Sequence, residues 1–156
     1  EHDLGRVGEV RHVTPDVVVE LMRAGFIPVI APIGVDQGGS SLNLNADTAA
    51  GKVAEALRAE KLILLTDVEG VRGADGAFLS SLGSAQARRL IEERVIDGGM
   101  IPKVEGALDA ITSGVRKVHI LDGRTPHAVL LEIFTDTGVG TEIVRSRAEG
   151  AADAAR

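Results

Sequence analysis

Two short segments hold the residues best suited to chemistry: Asn43-Leu44-Asn45-Ala46-Asp47 and Gly98-Gly99-Met100-Ile101-Pro102-Lys103. Each opens a predicted helix after a polar, glycine-bearing stretch, where unpaired backbone N–H groups favour negative charge. The first supplies two amides and a carboxylate, the second a lysine behind two glycines. The helix dipole disfavours a cation at a helix start, so a lysine there is suited to an anionic ligand. Asn43, Asn45 and Asp47 read equally as turn and cap residues, and Lys103 as one more surface lysine. Taken together, the segments point to a site that handles phosphate and a small carboxylic acid.

Other chemistries find less support. Gly51-Lys52 is not a phosphate loop, because Ala46 stands where the first glycine belongs and Val53 follows the lysine. Lys52 reads as a solvated helix residue. No Gly-x-Ser-x-Gly occurs, so there is no nucleophile elbow. His2, His12, His119 and His127 lack the spacing of a helical zinc pair, and without cysteine no thiolate metal site or disulfide forms.

These segments need elements to hold them. Residues 6–13 alternate weakly and read as a strand. Thr14-Pro15-Asp16 predicts a helix start, with Thr14 as N-cap and Pro15 in the first helical position, and Gly25 stops that helix. Residues 26–33 are almost wholly apolar, the pattern of a strand buried on both faces. Residues 36–41 form a glycine-serine turn that closes a hairpin. Helix is expected over 46–57, strand over 61–66 and a turn over 74–76. Ser84 is expected to cap a helix running to about Arg94, and Pro102 to start another that ends at Gly114. Strand over 117–121, helix over 126–134 and strand over 141–144 complete the pattern.

Alternating strands and helices imply an α/β fold with a largely parallel sheet. Ligands of such sheets bind beyond the carboxyl ends of the strands, which puts Asp67, residues 34–41 and Asp122-Gly123 at that edge. At 156 residues the chain suits one domain. A net charge of −6 with scattered Lys and Arg argues against nucleic acid. No apolar run approaches a membrane span, and the chain reads as a soluble, cytoplasmic protein. It begins Glu1-His2-Asp3 without methionine, in strand-like sequence, so a missing N-terminal portion is expected.

The ordered set Asp3-Leu4-Gly5-x-Val7-Gly8-Glu9-Val10, Ala24-Gly25-x-Ile27-Pro28-Val29-Ile30, Asn43-x-Asn45-Ala46-Asp47, Leu64-Leu65-Thr66-Asp67-Val68-x-Gly70-Val71, Gly98-Gly99-Met100-Ile101-Pro102-Lys103-Val104 and Leu130-Leu131-Glu132-x-Phe134-Thr135 resembles the amino acid kinase family, and within it the acetylglutamate kinases. The resemblance covers nearly the whole chain. It implies a three-layer αβα sandwich with a mainly parallel sheet, here incomplete. Residues 1–145 would be the carboxyl-terminal, mainly nucleotide-binding part of the kinase domain, followed by a mobile tail over 146–156. The family's earlier lysine with its glycine-rich loop, and its substrate-holding arginine, are not in this sequence.

The implied reaction moves the γ-phosphoryl of ATP, carried with Mg²⁺, to the side-chain carboxylate of N-acetyl-L-glutamate in arginine biosynthesis. Such a carboxylate, with a pKa of about 4.3, is already ionised at neutral pH, so no general base is needed. By resemblance Lys103 and Asp47 are catalytic: the lysine steadies the transferring phosphoryl and the aspartate orients it. Asn43 and Asn45 would contact the substrate. Thr66, Asp67, Gly70, Met100 and Lys103 would hold the nucleotide, and magnesium would sit on the ATP phosphates with no dedicated protein site. His119, Glu132 and Gly138 match an inhibitory L-arginine site, and read equally as a core histidine and a helix-face carboxylate. A homo-oligomer and a nitrogen-signalling partner are further family expectations. Another amino acid kinase, or a non-catalytic arginine-sensing or partner-binding module, is the alternative.

Overall fold

A computed structural model of the chain describes residues 5–136 and 138–146. The elements run α1 (Asp16–Arg23), β1 (Ile33–Val35), β2 (Ser41–Asn43), α2 (Ala46–Ala56), β3 (Lys61–Thr66), β4 (Ser81–Gly83), α3 (Ser84–Glu92), α4 (Met100–Thr112), β5 (Lys117–Asp122), α5 (Ala128–Phe134) and β6 (Thr141–Val144). The main sheet has the order β3-β5-β6-β4, and β1 and β2 form a separate antiparallel hairpin. Within the main sheet β3–β5 and β4–β6 are parallel and β5–β6 antiparallel. The chain is thus α/β with a mainly parallel sheet.

Side chains alternate across the strands and divide the sheet into two faces. Leu64, Val118, Ile120 and Ile143 join Val104, Ala107, Leu108 and Ile111 of α4 in one buried cluster. On this face α2 and α3 pack beside α4. His119 and Leu121 take the opposite phase along β5, where α5 packs. Among the described residues helix, sheet and helix make three layers, with α5 in the second helical layer.

Glycine and proline end the helices much as their chemistry requires. Gly25 (φ +84°) and Gly114 (φ +107°) take left-handed backbone after α1 and α4. Each closes a Schellman motif, through Phe26 N–H to Leu21 C=O and Val115 N–H to Ala110 C=O. Pro102 lies inside α4 rather than at its start. A helix's first amides have no internal partner, so a proline in the first turn loses nothing. The tight turn after β1 is held by Asp36, whose Oδ1 accepts the Gly38 and Ser40 N–H groups, each at 2.8 Å.

Several expectations are overturned. Residues 6–13 contribute one bridge, Val7 to Asn43, and no strand. Residues 26–32 form no strand either; Ile27 and Val29 are 91% and 96% exposed. A doubly buried strand needs neighbours on both sides and helices above and below. Among the described residues no strand flanks this run, and only its end is tied to the hairpin, through Leu44 N–H to Pro32 C=O. Residues 34–41 belong to the separate hairpin, so they do not lie at the main sheet's carboxyl edge. Pro15, not Thr14, is the N-cap of α1. Helix α3 is capped not by Ser84 but by Ser146, whose hydroxyl accepts the Ala85 N–H at 2.9 Å. Helix α5 begins at Ala128 because His127 is left-handed (φ +61°), which a right-handed helix does not admit. Ser146, placed in a mobile tail by the sequence, is held by Ser84; the rest of that tail lies outside the described residues.

Candidate active site

The parallel pair β3–β5 ends in two loops at the same edge. Gly123 N–H donates to Thr66 C=O at 2.8 Å and staples them together. A Cβ on Gly123 would sit 3.3 Å from Leu65 Cβ, so the close approach favours glycine. Beyond this junction opens a cleft of about 400 Å³. Asp67, Gly70 and Met100 line it, while Thr66 and Lys103 do not. Thr66 instead turns its hydroxyl to Asp67 Oδ1 at 3.2 Å. Gly70 (φ +148°) passes so close to Thr141 and Phe78 that a Cβ would fall 2.5 Å and 2.8 Å from their atoms. Thr141 fixes that wall from below: its Oγ1 accepts Val71 N–H at 2.8 Å and donates to Leu79 C=O at 2.6 Å.

The start of α4 carries Met100 into the cleft, and Lys103 follows one turn later on the same helical face, about 4.5 Å further along the axis. Lys103 Nζ donates to Asp47 Oδ2 at 3.0 Å, joining α4 to the first turn of α2. Asp47 sits where the dipole of α2 favours an anion, and it offsets the unfavourable position of the lysine. The side chains are 24% and 38% exposed, so the pair contributes at most about 1 kcal/mol to stability. Asn45 is the N-cap of α2, its Oδ1 accepting Thr48 N–H at 3.0 Å. Asn43 lies exposed on β2, bound through its backbone to Arg6 and Gly8. The two segments singled out by sequence therefore meet through Asp47 and Lys103.

A second cluster forms on the α5 face. Glu132 Oε1 accepts from His119 Nδ1 at 2.6 Å, and its Oε2 accepts Val139 and Gly140 N–H at 2.7 and 3.0 Å. Gly138 (φ +61°) lies against the same carboxylate, where a Cβ would fall 2.7 Å from Oε2. Both side chains of the His119–Glu132 pair are 5% exposed. Burial raises the Glu132 pKa, but the bonds from Val139, His119 and Gly140 outweigh it and hold the carboxyl below its ordinary range. His119 Nε2 is buried without a partner, 3.9 Å from Glu142 Oε2, and Glu142 is paired with Lys117 at 2.6 Å.

Sequence reasoning missed Arg124, which lines the cleft beside Asp67 and Glu69. It missed Val95-Ile96-Asp97 on the far wall as well. A charged residue straight after a glycine turn, at the carboxyl end of an apolar strand, was the available signal for Arg124.

Residues 1–122 match the amino acid kinase family, and the chain belongs to it. It is similar to the acetylglutamate kinase of Geotalea uraniireducens, 58% identical over 142 residues that make up 91% of this chain and 49% of the relative. The acetylglutamate kinase of Geotalea daltonii is 60% identical over 141 residues, 90% of this chain and 48% of that protein. The chain thus spans about half the length of the curated relatives it matches. Among solved structures, N-acetylglutamate synthase from Neisseria gonorrhoeae, complexed with coenzyme A and L-arginine, matches with a TM-score of 0.85 at 32% identity. That likeness covers 93% of this chain and 34% of the synthase. Among the described residues no helix is long and apolar enough to cross a membrane.

Proposed function

We propose that this chain is the nucleotide-binding part of an acetylglutamate kinase. The observation that carries the reading is the Lys103–Asp47 pair, which joins two helix starts one turn from a cleft at the carboxyl ends of parallel strands. ATP would lie with its nucleoside end in the cleft, between Asp67, Gly70 and Met100, and its phosphates towards Lys103. An anionic acceptor and a polyanionic donor repel each other, so the protein's task is to position them and neutralise charge. The carboxylate oxygen of N-acetyl-L-glutamate attacks the γ-phosphorus. The bond to the β–γ bridging oxygen breaks, and ADP leaves with that electron pair. Lys103 meets the charge that builds on those oxygens, and Asp47 keeps its ammonium in place. Magnesium would arrive on the nucleotide phosphates.

Calorimetry on the chain with ADP and with N-acetyl-L-glutamate tests this reading. ADP binding alone is expected, and binding of N-acetyl-L-glutamate without ADP overturns it. A second reading concerns regulation by L-arginine, a site that joins His119, Glu132 and Gly138. The convergence of these residues favours it, as does similarity to a synthase complexed with L-arginine. Three donors already meet Glu132, two on Oε2 and one on Oε1, which leaves one acceptor site on Oε1 for arginine. Arginine inhibition of a full-length kinase carrying this sequence is the test; no effect at millimolar concentration removes the site.

A further inference from the structure

Arg124 is held unusually firmly for a surface arginine. Asp122 Oδ1 accepts its backbone N–H and its Nε, and Oδ2 accepts its Nη2, each at 2.9 Å. A two-pronged bond of this kind fixes the plane of a guanidinium as well as its position. The anchor is seated at the end of β5 with its side chain 13% exposed, while that of Arg124 is 68% exposed and borders the cleft. Asp67, Glu69 and Asp97 face the same cleft, and its other arginine, Arg72, is paired with Glu69 at 2.7 Å.

That charge pattern decides which part of a nucleotide belongs here. Carboxylates outnumber cations and the cations are already paired, so a phosphate chain is repelled. The amino group of a base and the hydroxyls of a ribose are donors, and they suit those carboxylates. Val95, Ile96 and Met100 supply an apolar wall. None of the described residues lining the cleft is aromatic, so the flat surface available to a ring is the guanidinium.

We propose that Arg124, clamped by Asp122, is the platform on which the base of the bound nucleotide stacks, and that the pair sets nucleotide affinity. The proposal rests on the reading of the cleft as a nucleotide site. Calorimetry of the 156-residue chain with ADP and AMP tests it, on the unsubstituted protein and on Arg124→Ala, Arg124→Lys and Asp122→Asn. Arg124→Ala should raise the dissociation constant roughly five- to ten-fold for both nucleotides, the scale of a cation–π contact. Arg124→Lys should recover little of this, because it keeps the charge and loses the plane. Asp122→Asn should fall between, by freeing the guanidinium. An unchanged affinity in Arg124→Ala overturns the proposal and leaves the nucleotide site standing. Full recovery by lysine, or a loss seen with ADP and not with AMP, overturns it in favour of a phosphate contact. If the unsubstituted chain binds neither nucleotide, the reading of the cleft fails with it.

Discussion

Glu132→Gln changes one atom and removes one charge where three donors converge. The glutamine amide oxygen can keep the Val139 and Gly140 N–H groups, and its NH₂ then faces His119 Nδ1. That nitrogen donates to Glu132 at 2.6 Å. To accept from the amide instead, the imidazole must carry its proton on Nε2. Nε2 is buried and without a partner, with Glu142 Oε2 at 3.9 Å, beyond hydrogen-bond reach. Nε2 is unpaired in the parent as well, so moving the proton creates no new orphan. The loss lies in the three bonds at Glu132, each of which gives up charge assistance of about 1 kcal/mol. The neutral amide is cheaper to bury than the carboxylate, which offsets part of this. A net loss of about 2 kcal/mol at pH 7 is expected, a large share of an ordinary domain's stability.

Urea unfolding of the parent and the variant measures that loss, and acidification supplies the sign. A carboxyl whose pKa is lowered by folding adds stability above its unfolded pKa and loses it as pH falls through the folded value. The gap between parent and Glu132→Gln should therefore be full at pH 7 and narrow below about pH 4.5. A variant within about 0.5 kcal/mol of the parent at pH 7 refutes the reasoning. So does a gap that persists unchanged on acidification.

In a full-length kinase carrying this sequence, Lys103→Met should lower kcat by about 10²–10³-fold with a smaller change in KM, since its charge counts most in the transition state. Steady-state kinetics check this, and near-parental turnover demotes Lys103 to a surface residue. Asp47→Asn should lower kcat in the same direction by a smaller factor, by loosening the ammonium held at 3.0 Å. Thr141→Val keeps the shape but leaves Val71 N–H and Leu79 C=O without their partner, and should cost about 2–4 kcal/mol in urea unfolding. Gly140→Ala would drive a Cβ into Leu121 Cδ2 and the Ile120 carbonyl; a loss of about 3 kcal/mol or more is expected, and thermal melting reads it.

How far the fold was legible depends on where each element finds its partners. Strands β3, β5 and β6 carry their own signal as apolar runs bounded by polar residues, and their partners lie within this chain. The run over 26–32 carries the same signal and joins no strand among the described residues, because apolar content reports a wish for burial and not the presence of a neighbour. Its tie to the hairpin is Leu44 N–H to Pro32 C=O. Strand β4 is only Ser81–Gly83, too short for any alternation, and exists because β6 lies beside it. The cap of α3 comes from Ser146, 62 residues from Ser84 along the chain, a distance no local rule can span. Local capping signals point at the nearest hydroxyl, and here tertiary structure supplied another.

The candidate site was legible in the same partial way, and Lys103 shows why. A lysine at a helix start opposes the dipole, and sequence alone allows two explanations: an anionic ligand or a protein anion. The structure supplies the protein anion in Asp47, which removes the need for a ligand as an explanation of the position itself. It does not remove the capacity for one. An ammonium has three donors, and Asp47 takes one of them at 3.0 Å. The side chain retains 24% exposure, so the other two can reach an oxyanion that arrives from the cleft one turn away. On the proposed reading Asp47 has a function distinct from neutralisation: it confines a flexible four-carbon stem to one geometry before any phosphate is present. A pre-placed cation costs little reorganisation when charge develops next to it, and that is the property phosphoryl transfer to an already ionised carboxylate requires.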